Sequence, residues 1–348
     1  MRSRARTLVI PAAAVAALAL VAAGCGGGGG GGGSSSTSGT TTQKSSFKAA
    51  LVSDIAGFND NGFNKNQLVG LNRAASQLGI TAISKVSHSS SDYAPNYNAS
   101  IRAGANIVIA AGYLLGDTMK KYAKQFPKVK FAITDDPVSA VGGYKNEIGI
   151  TYATQEAGCL VGVLAAKMEQ KMGGNTIGAV GGIKIPPVDS YIAGYQYCAA
   201  KAVPGMKTVT QYSNSFTAQD KCSAVAQNEM GQGAKVIFQV AGGCGIGALT
   251  AAGNAGNWGI GVDADEYGVA KNILTSAVKK TDVGVFDAVK AAYDGTFKGG
   301  TDIVLNLKND GVGVGKISPK VPKSWITLMN QYKSQIISGK LKPPATLK

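Results

Sequence analysis

From Phe47 onward, short runs rich in aliphatic and β-branched residues alternate with segments whose apolar positions recur at helical spacing. That alternation predicts strands over 47–54, 80–87, 105–112, 130–136 and 147–153, with helices near 61–77, 93–104 and 114–127 between them. The rhythm then restarts with helix 154–169, strand 176–182, helix 186–203, strand 207–213, helix 217–232, strand 235–242, helix 246–256 and strand 258–265. Strand 272–279 and helix 281–295 follow, then glycine-rich short strands and a last amphipathic helix at 324–340. Alternating strands and helices bury both faces of a parallel sheet, so two repeats predict an α/β protein of two Rossmann-like lobes. The first lobe is expected to comprise 47–153 with about 271–300, and the second 154–270 with 301–348.

In an open parallel sheet, ligands settle at the carboxyl ends of the strands, where loops run into helix N-termini with free N–H groups. The polar residues and glycines at those ends are therefore the candidates: Asp54 to Asn64, Asp135 with Asp136, Gly181 with Gly182, Gly242 with Gly243, and Asp263. The stretch GGCGIGA at 242–248, with Asp263 some way beyond, loosely imitates a dinucleotide-binding fingerprint, but its third glycine comes one residue early. No Walker A, HExxH or GxSxG motif accompanies it, so an oxidoreductase is the weaker reading and no cofactor is expected. Thr217 with Asp220 reads as a capping-box variant at one helix start.

The amino terminus carries Arg2, Arg4 and Arg6, an apolar run from Leu8 to Val21, and small residues Ala22, Ala23 and Gly24 before Cys25. This is the pattern of a secretory signal, too short to be a membrane-spanning helix. Val-Ala-Ala-Gly-Cys resembles the bacterial lipobox, which implies removal of 1–24 and acylation of Cys25, although Ala22 stands where leucine is usual. Residues 25–46 are rich in glycine, serine and threonine and read as a flexible tether.

The formal charge of +15 includes three arginines of the signal, leaving 32 − 20 = +12 on the mature chain. The lysines are scattered singly rather than interleaved with aromatics, which argues against nucleic acid and for attraction to an anionic membrane or wall. Cys159, Cys198, Cys222 and Cys244 form an even set in an exported chain, so two disulfides are expected. Cys198 with Cys222 and Cys159 with Cys244 is the favoured pairing, because 198 and 222 lie on successive predicted helices. The spacing lacks C-x₂-C and His88 is the only histidine, so neither a zinc site nor a histidine-dependent triad is supported.

The stretch DIAGFNDNGFNKNQLVGL at 54–71 resembles the opening motif of the basic membrane protein family of substrate-binding lipoproteins, which includes purine nucleoside receptors. Further blocks at 110–136, 154–168, 177–195, 232–253, 259–268 and 273–289 resemble that family in the same order. The resemblance implies a type I periplasmic-binding-protein fold, a nucleoside enclosed between hinged lobes, an ABC permease as partner, and a monomer. It places Phe63 and Tyr191 on the faces of the base, and Asp263 and Lys279 at the ribose. Asp54, Asp60, Asn61 and Asn64 match its first loop, Asp135 a residue at the base edge, and Gly242 and Gly243 the points of close backbone approach. A receptor of the same fold for a sugar or signalling molecule, or an adhesin without a buried ligand, remains open from sequence.

Overall fold

The computed structural model describes residues 45–347; the signal segment, Cys25 and nearly all of the tether lie outside the described residues. The first half of the body runs β1 (Lys48–Val52), α1 (Phe63–Leu78), β2 (Thr81–Lys85), α2 (Tyr93–Arg102), β3 (Ile107–Ala110), α3 (Gly116–Gln125), β4 (Lys130–Thr134), α4 (Val138–Val141) and β5 (Glu147–Tyr152). The second runs α5 (Thr154–Lys171), β6 (Thr176–Gly181), α6 (Pro186–Ala202), β7 (Lys207–Tyr212), α7 (Gln219–Gly231), β8 (Val236–Val240), α8 (Gly242–Asn254), β9 (Trp258–Asp263) and β10 (Ile273–Lys279). It closes with α9 (Thr281–Tyr293), β11 (Thr301–Leu305), β12 (Val312–Val314) and α10 (Lys323–Ile337).

Twelve strands form two six-stranded sheets, ordered β2-β1-β3-β4-β5-β11 and β7-β6-β8-β9-β10-β12, parallel throughout except for the β10/β12 pair. This is the α/β architecture expected, but the tail is divided differently. Strand 272–279 joins the second sheet beside β9, and β11 joins the first beside β5. The expected grouping of 271–300 with the first lobe and 301–348 with the second therefore changes at these two strands, while α9 packs on the first sheet and β12 and α10 on the second, as grouped. The chain crosses between sheets at Ala153, at Lys280 and across 306–311, and each crossing is tied to another. Ala153 N donates to Leu305 O, Lys280 N to Gly311 O, and Leu307 N to the Glu156 carboxylate. Periodicity identifies β10 and β11 as strands, but only the hydrogen-bond partner identifies the sheet.

In each sheet the second strand is laid on the outside of the first, so the next crossover runs back the other way and deposits its helix on the opposite face. Hence α1 and α9 share one face of the first sheet, and α2 and α3 the other. In the second, α5, α6 and α10 cover one face, while α7 and α8 cover the other. This geometry overturns the favoured cysteine pairing. Cys198 on α6 and Cys222 on α7 are separated by the sheet, and the disulfides are Cys159–Cys198, joining α5 to α6, and Cys222–Cys244, joining α7 to α8. The α5/α6 contact is close because glycine stands at it: a Cβ at Gly158 would lie 2.1 Å from Tyr191 O, and one at Gly194 1.9 Å from Gln155 O. Thr217 does not cap α7; Ser215 Oγ accepts the Thr217 and Ala218 amides instead.

Two buried carboxyls in the second lobe, those of Glu169 and Glu229, each have an oxygen with no partner among the described residues. Glu229 on α7 is fully buried; Oε1 accepts the Gln211 amide at 3.1 Å, and Oε2 has no partner among the described residues. Burial pushes its pKa from 4.5 to about 8. Between those values the folded protein holds a proton that the unfolded chain has released, so stability falls as pH rises. One such group contributes at most about 1.4 kcal/mol per pH unit. Glu229→Gln is expected to raise the melting temperature more at pH 8 than at pH 5, as read by thermal denaturation. Equal shifts at both would mean that the carboxyl is already ionised in the fold.

Candidate ligand-binding cleft

The carboxyl ends of both sheets face one cleft, enclosing about 550 Å³ of atom-free space that is partly open to solvent. The first half contributes Asp54, Asp60, Phe63, Asn64, Gly112 and Asp135 to its lining, and the second Tyr191, Phe216, Gly242, Asp263 and Lys279. The halves touch around it: a Cβ on Gly62 would lie 3.7 Å from the Asp263 Cβ, and one on Gly243 3.6 Å from the Asp60 Cα.

Asp60 and Asp54 have distinct roles, set by their hydrogen bonds. Asp60 precedes α1 and accepts the amides of Gly62, Asn64 and Lys65, together with Asn64 Nδ2. Both of its oxygens are thus committed to holding the helix start, which suits the positive end of the helix dipole. Among the described residues Asp54 accepts only through Oδ1, from Ala56 N and Asn64 Nδ2 at 2.9 and 2.8 Å. Its Oδ2 is left for the cleft. Burial, followed by the nearby Asp60 and Asp135 carboxylates, pushes the Asp54 pKa up to about 7. At neutral pH this oxygen can therefore serve as donor or acceptor.

Asp135, just after β4, and Asp263, the last residue of β9, have φ of 68° and 61°, a left-handed backbone unusual for a residue with a side chain. Such strain persists only where surrounding contacts hold it, and here both carboxylates converge on one cation. Lys279, at the end of β10, is 3% exposed; its Nζ lies 2.7 Å from Asp135 Oδ2 and 3.3 Å from Asp263 Oδ1. The Asp135 bond runs from one lobe to the other. Burial alone would lower the lysine pKa, but the two carboxylates outweigh it and hold it above its ordinary value. The ammonium also stands 4.5 Å from the Phe63 ring centroid and 5.6 Å from those of Tyr152 and Tyr191.

Of the residues singled out from sequence, Asp54, Asp60, Phe63, Asn64, Asp135, Tyr191, Gly242, Asp263 and Lys279 line this cleft. Asn61 does not: with φ of 59° it makes the turn before α1 and is exposed. Gly243 lies behind the lining, against Asp60 and Phe216 O, in the first turn of a helix that begins four residues before its predicted start. Tyr191 is buried on α6, with its hydroxyl 3.2 Å from Asp263 Oδ1, so it meets the cleft beside the carboxylate. Sequence reasoning missed Tyr113 and Leu114 after β3, Ile185, Pro187 and Val188 after β6, and Phe216 after β7. All of these follow strand ends, the same signal that exposed the others. Phe216 is fixed by the contact of its ring with Gly182, where a Cβ would fall 2.4 Å from Cε1, and by Cys244 N donating to its carbonyl.

A two-lobed α/β body with a partly open cleft of carboxylates and rings at facing strand ends is the architecture of a solute-binding protein. The family of PnrA-like ABC transporter substrate-binding proteins matches residues 47–345, and the chain belongs to that family, one of solute-binding proteins rather than enzymes. It is 31% identical to the CD4+ T-cell-stimulating antigen of Listeria monocytogenes, over 86% of this chain and 88% of that one. It is 32% identical to the ABC transporter nucleoside-binding protein BmpA of Lactococcus lactis, over 87% and 90%. An ABC transporter solute-binding protein of known structure from Aeropyrum pernix superposes with a TM-score of 0.77 at 25% identity, covering 86% of this chain and 94% of that one. The protein is thus the substrate-binding component of an ABC transporter, with a small-molecule ligand and permease subunits as partners.

Proposed function

We propose that the protein captures a purine nucleoside in this cleft and delivers it to an importer. The carrying observation is the lining itself: rings from both lobes, Phe63 and Tyr113 from one and Tyr191 and Phe216 from the other, beside the open carboxylate oxygens of Asp54 and Asp263. A planar base gains about 1–3 kcal/mol from a ring against its face. Asp54 Oδ2 suits the base edge, and Asp263 the sugar hydroxyls. The nucleoside-binding relative from Lactococcus supports the same reading.

Because the contacts come from both lobes, a bound ligand favours closure about the three crossings, and the permease reads the closed form. The protein acts as a monomer outside the cytoplasm, held to the membrane by acyl chains on Cys25, a residue that lies outside the described part. Among the described residues no helix is long and apolar enough to cross a membrane.

A thermal-shift panel of adenosine, guanosine, inosine, cytidine, ribose and glucose tests the reading. Ligand at a hundredfold excess over Kd is expected to add about 2.7 kcal/mol of stability. Shifts with the sugars alone would defeat the nucleoside assignment and favour a sugar receptor.

A further inference from the structure

We infer that the Cys222–Cys244 disulfide positions the Phe216 wall of the cleft and thereby sets ligand affinity, whereas Cys159–Cys198 serves the core alone. The inference rests on the reading that ligand lies against this wall.

The two bridges stand at different distances from the cleft. Cys222 is in the first turn of α7 and Cys244 in the first turn of α8, just after the cleft-lining Gly242. Cys198 lies near the far end of α6, about 10 Å along the helix beyond Tyr191. There α5 and α6 bury Leu160, Leu164, Ile192 and Tyr195 in one apolar core, which fixes both helices around their own bridge.

The turn that carries Phe216 is held between the sheet and the Cys222–Cys244 bridge. On the sheet side, Ser213 N and Asn214 N donate to Gly181 O and Gly182 O. On the other side, Cys222 Sγ and Cys244 Sγ lie 3.3 and 3.4 Å from Ser213 Oγ, and Cys244 Sγ lies 2.8 Å from Ala218 O. The sulfurs therefore touch both ends of the turn, while Cys244 N donates to Phe216 O between them. Both cysteines are fully buried and neither lines the cleft, so they are positioning residues that act on the ligand through Phe216.

The start of α8 needs this tie. Four of its first six residues are glycine, the poorest helix former after proline. Packing demands two of them: a Cβ at Gly245 would lie 1.8 Å from Gln239 Oε1, and one at Gly247 1.9 Å from Gln219 O. Close packing thus leaves a first turn with little helical preference of its own, and the bridge to α7 offsets that weakness where the turn meets Phe216.

The test is calorimetric titration and amide hydrogen exchange of the native protein, of Cys222→Ala/Cys244→Ala and of Cys159→Ala/Cys198→Ala, with the tightest-binding compound of the thermal-shift panel as ligand. Both double variants should melt below the native protein, but only Cys222→Ala/Cys244→Ala is expected to lose affinity, by about tenfold. Without ligand, that variant should exchange the Thr217, Ala218 and residue-244 amides at least about tenfold faster, and the other should leave them within about twofold of native. Equal affinity losses in the two variants would make the bridge merely structural and overturn the inference, as would native affinity or native exchange in a folded Cys222→Ala/Cys244→Ala. Phe216→Ala keeps both bridges and reads the wall alone; native affinity in that variant overturns the inference whether or not the cysteine pair can be removed. If no compound of the panel binds the native protein, the nucleoside reading falls, and exchange alone decides whether the bridge holds the wall.

Discussion

Lys279→Met is expected to destabilise the protein by about 3–5 kcal/mol at neutral pH, the usual penalty for removing one partner of a buried ion pair. The substitution keeps most of the side-chain volume but leaves Asp135 and Asp263 converging with no cation between them. The buried Asp135 carboxyl, already held above its ordinary pKa by burial with the lysine in place, would be pushed further up once that cation is gone, so the variant should regain stability relative to the native protein as pH falls. Urea unfolding at pH 5 and pH 7.5 reads this directly. A loss of the same size at both values would mean that the carboxylates find another partner. Ligand affinity should fall as well, because the Asp135–Lys279 bond is one of the links between the lobes.

Asp263→Ala carries the second large effect. Removing a charged acceptor from a ligand hydroxyl costs about 1.5–3 kcal/mol, so nucleoside affinity should fall by about one to two orders of magnitude. The corresponding free base, which has no hydroxyls to lose, should bind nearly as before. Parallel titrations of nucleoside and base decide the matter, and equal losses would remove the sugar-facing role of this residue.

Much of this architecture can be read in the chain before any coordinates, and the reason differs from element to element. Ile107–Ala110 is buried along its whole length and appears as an unbroken apolar run bounded by polar positions, and in Val236–Val240, also buried throughout, only Gln239 interrupts the run. Asp54, Asp135 and Asp263 stand at strand ends, where side chains must leave the sheet, and that position is visible from the run preceding each. What stays hidden is pairing. Nothing in ILTSAVK says that it lies beside β9, and nothing in the spacing of Cys198 and Cys222 says that a sheet separates them. Hydrogen-bond commitment is hidden too: Asp54 and Asp60 look alike in the sequence, yet one offers an oxygen to the cleft and the other offers none. Phe216 is a third case, since its place depends on the ring fitting over Gly182, a contact set by shape rather than by pattern.

The edge position of β11 has a consequence for how the molecule is made. Residues 301–305 complete the first sheet beside β5, yet they are synthesised only after the five strands β6 to β10 of the second sheet. Until they arrive, β5 presents an unpaired edge, the kind of surface that invites association with another chain. Maturation of the amino-terminal half must therefore wait for the carboxyl-terminal part of the chain, and neither half can be cut out as one continuous piece. Truncation just before Thr301 should leave a sticky, aggregation-prone product rather than a smaller folded receptor.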